Sequence, residues 1–427
     1  ARLAETAGCG LWDTDNRMIN QNYNTMKRIL SVVMTLCCAI VLFANPIGRE
    51  QATALAKKYV RGNIAPRLVS TPRRAAASAT ATATPPMYVF SRGENAGFVI
   101  VAGDDCAPSI LGLVDKGDYD ETKFPPALVW MIDEWSRYIS TAQAAGMNAP
   151  RGPRRAIGNY DIAPLVQTYW GQGDPYNRRC PYLDSGVVHS VTGCVATQGA
   201  MLAYYWRKEC YDYVQEDTPL YNFGEMGEDP DMQIKAGTPY NWELMHERYG
   251  YIGGVEYPFT AENADAVAVL MATIGMTSKL NYGRETGGSL GDLNNALRAQ
   301  LGLAGDFIYR SGYSDDDWYD IVIGNLQNKQ PIGYAGGGHA YILDGYSASD
   351  DLFHFNFGWE GFQDGYFSLL PNDPVAAGGY KSNQHMLCNV LPLHPALEAS
   401  IVNEEFVYGE ENTFTVRVSS HSAAKYN

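Results

Sequence analysis

Thr192-Gly193-Cys194-Val195-Ala196-Thr197-Gln198-Gly199-Ala200-Met201-Leu202-Ala203 puts a thiol at the head of an apolar run rich in small residues. Thr192 reads as an N-cap and Gly193 to Trp206 as a helix. A cysteine in a first helical turn faces unpaired backbone N–H groups and the positive end of the helix dipole, and both favour thiolate. Ala196, Gly199, Ala200 and Ala203 carry little bulk, so neighbouring elements can pack close and hold the helix still. A lone cysteine is nevertheless more often a buried structural thiol. The stretch needs partners before it means chemistry.

Three further stretches supply them. Gly336-Gly337-Gly338-His339-Ala340-Tyr341-Ile342-Leu343 sets a histidine where a glycine loop enters a strand. Phe353-His354-Phe355-Asn356-Phe357-Gly358-Trp359 alternates, with the phenylalanines on one face and His354 and Asn356 on the other. A turn through Ser347 to Asp351 pairs the two strands, so that Asn356 accepts from one His339 nitrogen and leaves the other facing Cys194. Trp359 shields that pair from water. Trp170-Gly171-Gln172-Gly173 adds a Gln172 amide which, with the Cys194 N–H, would make an oxyanion hole. Helix-borne Cys, strand-borne His and then Asn is a workable order for a nucleophile, its base and an orienting amide. Taken singly, the histidine reads more often as structural and the glutamine as a loop amide.

Outward from these motifs the chain is ordinary globular material. Its 427 residues are 46% apolar and 19% charged. Residues 46–155 hold 14 Lys/Arg against 10 Asp/Glu, a net of +4, whereas residues 156–427 hold 14 against 34, a net of −20. So acidic a body repels phosphates and argues against a nucleic-acid partner or an anionic membrane. Met26-Lys27-Arg28 followed by the apolar run Ile29 to Phe43 reads as a signal peptide over residues 26–45, and residues 1–25 as an upstream extension that is not native. The apolar run is short for a membrane span. Beyond it lie Cys106, Cys180, Cys194, Cys210 and Cys388, an odd count that leaves at least one free thiol. None has C-x-x-C spacing, so a metal site has little support and no cofactor is expected.

The elements fall into an α+β pattern. A small α+β unit spans residues 46–155. It comprises a helix over Arg49 to Val60, a low-complexity run Ala75 to Pro86, strands Met87 to Phe90 and Gly97 to Ala102, and a helix Phe124 to Ala145. It ends in the basic linker Arg151-Gly152-Pro153-Arg154-Arg155, of the kind proteases cut. The body, residues 156–393, shows helical stretches at Gly193 to Trp206, Tyr240 to Tyr249, Ala261 to Ile274 and Gly291 to Leu301. Strands follow at Pro331 to Ala335, Ala340 to Leu343, Leu352 to Phe357 and Gly365 to Leu369. Residues 394–427 read as the first strands of a further β-domain.

Together, Gln-Gly-x-Pro-Tyr-Asn (172–177), Gly-Cys-Val-Ala-Thr (193–197), Tyr-Asn-Trp (240–242), Gly-His-Ala (338–340) and His-x-Asn-x-Gly-Trp (354–359) resemble the streptopain family of bacterial cysteine peptidases, interpain among them. Gly-Phe-Val-Ile-Val-Ala-Gly-Asp (97–104) and Ile-Leu-Gly (110–112) resemble that family's inhibitory pro-domain. The resemblance implies a papain-like fold, a helical part plus an antiparallel sheet, preceded by an α+β pro-domain. It implies a secreted or cell-surface endopeptidase made as a zymogen, with protein and peptide substrates, its own pro-domain as intramolecular inhibitor and no stable membrane insertion. Cys194 would be the nucleophile and His339 the base, with Gln172 in the oxyanion hole and Asn356 and Trp359 supporting the histidine. Ser289 and Gly338 would line the substrate cleft. Phe357 departs from the family, where a second tryptophan is common. Two other activities fit the same residues: a transglutaminase-like acyl transferase, and a catalytically inactive binding protein on the same fold.

Overall fold

Apolar runs broken by a glycine-asparagine turn fold back on themselves, and that hairpin starts the sheet. The computed structural model describes residues 45–60, 62, 64–72, 84–145, 160–183, 188–220, 232–369, 384–393, 397–401 and 416–420. The expected extension 1–25, nearly all of the expected leader 26–45, most of the low-complexity run and the basic linker 151–155 lie outside the described residues.

Helix α1 (Arg49–Ala56) precedes strands β1 (Arg67–Ser70), β2 (Met87–Ser91), β3 (Phe98–Ala102) and β4 (Ile110–Val114), and helix α2 (Pro126–Ala145) follows them. Ser91 pairs with Phe98 across the turn, where Gly93 and Asn95 take positive φ. Helix α3 (Cys194–Tyr205) opens the body, then comes the small hairpin β5 (Gly250–Ile252) and β6 (Val255–Tyr257). Helix α4 (Ala261–Thr277) starts on a capping box between Thr260 and Asn263, and α5 (Leu290–Leu301) on the Ser289 hydroxyl. Strand β7 (Leu303–Tyr309), helix α6 (Asp315–Gln327) and strands β8 (Ile332–Gly336), β9 (His339–Ser347), β10 (Leu352–Asn356), β11 (Gly365–Phe367) and β12 (His385–Pro392) complete the body. Strands β13 (Leu397–Ile401) and β14 (Val416–Ser420) pair in a sheet of their own.

The expected helix at Tyr240 to Tyr249 does not form. Asn241 takes φ 51°, only a 3-10 turn at Trp242–Leu244 follows, and the Tyr249 hydroxyl takes the His246 N–H that a helix would use. Helix α6 was not anticipated, although Ser314 before three aspartates is a good helix start.

The N-terminal unit and the body share one ten-stranded antiparallel sheet, in the order β1-β2-β3-β4-β11-β10-β9-β8-β12-β7. The join is β4 on β11, with Gly112 opposite Phe367 and Val114 opposite Gly365. Side chains alternate across this sheet. Ala335, Ala340, Ile342 and Leu387 point to one face, where α3, α4 and α5 bury Val195, Leu270 and Leu293. Tyr334, Tyr341, Leu343, Phe353, Phe355 and Met386 point to the other, which α2 and α6 cover with Leu128, Trp135, Trp318 and Val322. Each large aliphatic side chain so buried is worth about 2 kcal/mol against its exposed state. His339, the first residue of β9, stands at the end of the sheet between these two layers.

Candidate active site

The site begins with the mounting of α3. Its cap is Gly193 at φ 83°, not Thr192 as the sequence led us to expect, and no side chain caps this end. The turn at Gly193 swings the Thr192 hydroxyl onto that of Thr197, 2.8 Å away, while the Thr192 N–H donates to the Gln172 carbonyl at 3.0 Å. The small residues do what small residues permit: a Cβ on Gly199 would fall 2.4 Å from Leu293 Cδ1, so α5 lies directly against the helix. One turn beyond the thiol, Gln198 Nε2 donates to the carbonyls of both Tyr334 (2.8 Å) and Tyr341 (2.5 Å). This fully buried amide ties the cysteine helix to β8 and β9. Sequence reading passed over it, though a glutamine on an otherwise apolar helix is itself a signal for such a bond.

Cys194 is partly buried, and the backbone N–H groups of Ala340, Val195 and Cys194 itself lie close enough to favour its thiolate form. The Ala340 N–H is the peptide adjoining His339, so strands and helix bring the two motifs to one point. Burial raises the Cys194 pKa, and the three N–H groups offset this only in part, so the helix end does not hold a thiolate here.

His339 is buried as well, and its Nε2 lies 2.9 Å from the Phe357 carbonyl. Burial lowers its pKa to about 4, with the Phe357 carbonyl pulling the other way, so the ring is neutral and donates Nε2–H. Among the described residues neither ring nitrogen is hydrogen-bonded to Cys194. The partner at Nε2 corrects the expectation for Asn356. That side chain is buried with its Nδ2 donating to the Thr168 carbonyl (2.8 Å) and its Oδ1 accepting from the Gly358 N–H (3.0 Å). Both bonds hold the turn after β10, and the turn presents the next carbonyl to the histidine. Asp364 helps: its Oδ1 accepts the Phe357 N–H at 2.9 Å, its Oδ2 is buried without a partner among the described residues, and burial lifts its pKa to about 7. A backbone carbonyl leaves no trace in sequence, which is why Phe357 was read only for its ring.

Trp359 stands edge-on to His339, ring centroids 6.2 Å apart, where it can exclude water. Gln172 lies beside the start of α3 through its backbone bond to Thr192, and its side-chain amide has no hydrogen bond among the described residues. Gly338 has φ 77° and open space where a side chain would be, as a cleft wall requires. Gly337 is different. It has φ 62°, and a Cβ there would lie 2.3 Å from Trp130 Cγ. Trp130 belongs to α2, so the N-terminal unit packs on the loop that carries the histidine. Ser289 is exposed, and its hydroxyl is taken by the Gly291 and Asp292 N–H groups at the head of α5. Nearby Thr286 lies against Gly193.

Two other contacts hold the N-terminal unit to the body. Lys58 Nζ and the Tyr59 hydroxyl both reach Asp350 Oδ1 at 2.7 Å, on the turn between β9 and β10. The Lys116 ammonium lies over the Tyr169 ring, 5.6 Å from its centroid.

Residues 170–367 match the Peptidase C10 family, and residues 44–139 match the Spi protease inhibitor family. The thiol protease/hemagglutinin PrtT of Porphyromonas gingivalis is 28% identical over 402 residues, 86% of this chain and 44% of that protein. Streptopain of Streptococcus pyogenes is 28% identical over 346 residues, 72% of this chain and 81% of that protein. The chain thus spans less than half the length of the first relative. Among solved structures, a fragment of prointerpain A of Prevotella intermedia superposes with a TM-score of 0.60 at 25% identity, over 77% of this chain and 98% of that one.

Proposed function

We propose that this chain, a member of the Peptidase C10 family of streptopain-like cysteine peptidases, is the latent precursor of a secreted endopeptidase. The observation that carries the reading is the meeting of Cys194, at the head of α3, with the Ala340 N–H beside His339. Gln172 is joined to the start of α3 by its backbone bond to Thr192, and Trp359 stands edge-on to His339.

Each residue then has one task. The Cys194 thiol gives its proton to His339, and the sulfur attacks a peptide carbonyl. The Gln172 amide and the Cys194 N–H hold the oxyanion. His339 returns the proton to the departing amine, and water attacking the acyl-sulfur bond regenerates the thiol. The Phe357 carbonyl fixes the tautomer and ring angle of His339, Asn356 and Asp364 shape the turn that offers it, and Trp359 keeps water from the bond. Gly338 lines the cleft; Ser289 borders it with a capped hydroxyl.

Latency follows from the same geometry. The Spi-like segment extends the sheet at β11 and lays Trp130 on Gly337, and in this precursor the thiol and the imidazole are both neutral and not hydrogen-bonded to each other. The proposed division of the chain is a leader over 26–45, an inhibitory segment over 46–155, the peptidase over 156–393 and the start of a C-terminal β-domain over 394–427.

The test is activity on a quenched fluorescent protein substrate after the N-terminal segment has been removed. Hydrolysis is expected, with Cys194→Ala and His339→Ala each lowering it by roughly a thousandfold or more. Incorporation of an amine without hydrolysis would make the protein an acyl transferase, and no labelling of Cys194 by a thiol-reactive peptide would make it a binding protein.

A further inference from the structure

Glu360 directly follows Trp359 in the turn after β10 and takes a left-handed backbone, φ 58°, although it is not glycine. Its N–H donates to the Trp170 carbonyl at 3.1 Å, which joins the turn to the segment that carries Gln172. Its side chain lies across Gly171: a Cβ there would sit 2.7 Å from Glu360 Cγ and 3.0 Å from Oε1. Glu360 thus follows Trp359 in sequence and lies against Gly171, the residue before Gln172. It is half-buried, and among the described residues it has no hydrogen bond and no ion pair. The nearby cations are committed elsewhere, Lys116 and Arg248 lying over the Tyr169 ring and Arg248 also bonding the Tyr257 hydroxyl. Burial raises the Glu360 pKa, as expected for a carboxylate short of partners.

A half-buried carboxylate with no partner is costly to maintain and calls for a cation. His339 hands its proton to the departing amine, so the residues beyond Trp359 meet the part of the substrate that follows the cut. We propose that Glu360 forms a subsite for a lysine or arginine side chain in the first two residues after the scissile bond. This rests on the peptidase reading above. One suitable sequence lies in the chain itself, where the linker offers Arg151, Arg154 and Arg155. The body's net charge of −20 would draw such peptides in.

The experiment uses the matured protein and three peptides: a neutral parent, and versions with lysine at the first or the second position after the cut, the cut being confirmed by mass spectrometry. One lysine peptide should be cleaved about tenfold better than the parent, in kcat/KM, the factor expected of one modest charge contact. In Glu360→Gln that ratio should fall to near one, and in Glu360→Lys it should invert. Cleavage of all three peptides at equal rates, or a preference unchanged in Glu360→Gln, overturns the subsite alone. Failure to cleave even the parent overturns the peptidase reading together with it.

Discussion

The two faces of the sheet hold the site in different ways. On the α3 face the mount of Cys194 belongs to the body: Gln198 bridges two strand carbonyls, Gly199 admits Leu293, and helices α4 and α5 close the layer. On the other face part of the cover is borrowed. Helix α2 packs Leu128, Met131 and Trp135 into the same apolar layer as Tyr341 and Phe355, and Trp130 rests on the glycines before His339. The thiol therefore stands on a permanent mount, while the histidine loop leans on a segment that a single chain cut can release. The proposed zymogen would need this division, because the framework of its proposed nucleophile must survive removal of the inhibitor.

The largest expected effect concerns the removable side. His339 has a folded pKa of about 4 against an ordinary 6.5, because burial disfavours its charged form. Between these values the unfolded chain binds a proton that the folded precursor does not, so stability is full above pH 6.5 and lost as pH falls toward 4. The loss from this residue is up to about 3 kcal/mol. Denaturant titrations of the precursor at several pH values should show it, and His339→Gln should flatten that part of the curve. An equally steep curve in His339→Gln would put the acid sensitivity in another group whose pKa burial lowers, such as His385.

Next comes the permanent side. Gln198→Leu leaves two buried carbonyls without their donor and should cost about 2 kcal/mol, read as a lower thermal midpoint in precursor and matured enzyme alike. An effect confined to the precursor would mean that the mount too depends on the N-terminal unit. Smallest is the polar latch. Lys58 is largely exposed, so Lys58→Ala should weaken the hold of the N-terminal unit by about 0.5 kcal/mol. Self-processing would then be slightly faster and less sensitive to salt; unchanged kinetics would leave the β4–β11 join and Trp130 as the whole of the restraint.

Much of this was legible in sequence because local signals agreed with the fold. Helix α3 was read to within a residue at each end, and the helical stretches read at Ala261 to Ile274 and Gly291 to Leu301 form α4 and α5. The α+β class and the kinship with streptopain followed from motifs that local chemistry makes distinctive. What stayed hidden was non-local or carried by backbone. Nothing in Ile110–Val114 says that it will pair with Gly365–Phe367, more than two hundred residues away, and unite two units in one sheet. Nothing in Phe357 says that its carbonyl, and not the neighbouring Asn356 amide, will meet His339.

The most direct measurement follows the N-terminus of the purified precursor over time, for wild type and Cys194→Ala side by side. Wild type should acquire new ends between Arg151 and Tyr160 and gain activity as they appear, while Cys194→Ala stays intact. Maturation of the Cys194→Ala protein by itself, at the same bonds and rate, would contradict the account.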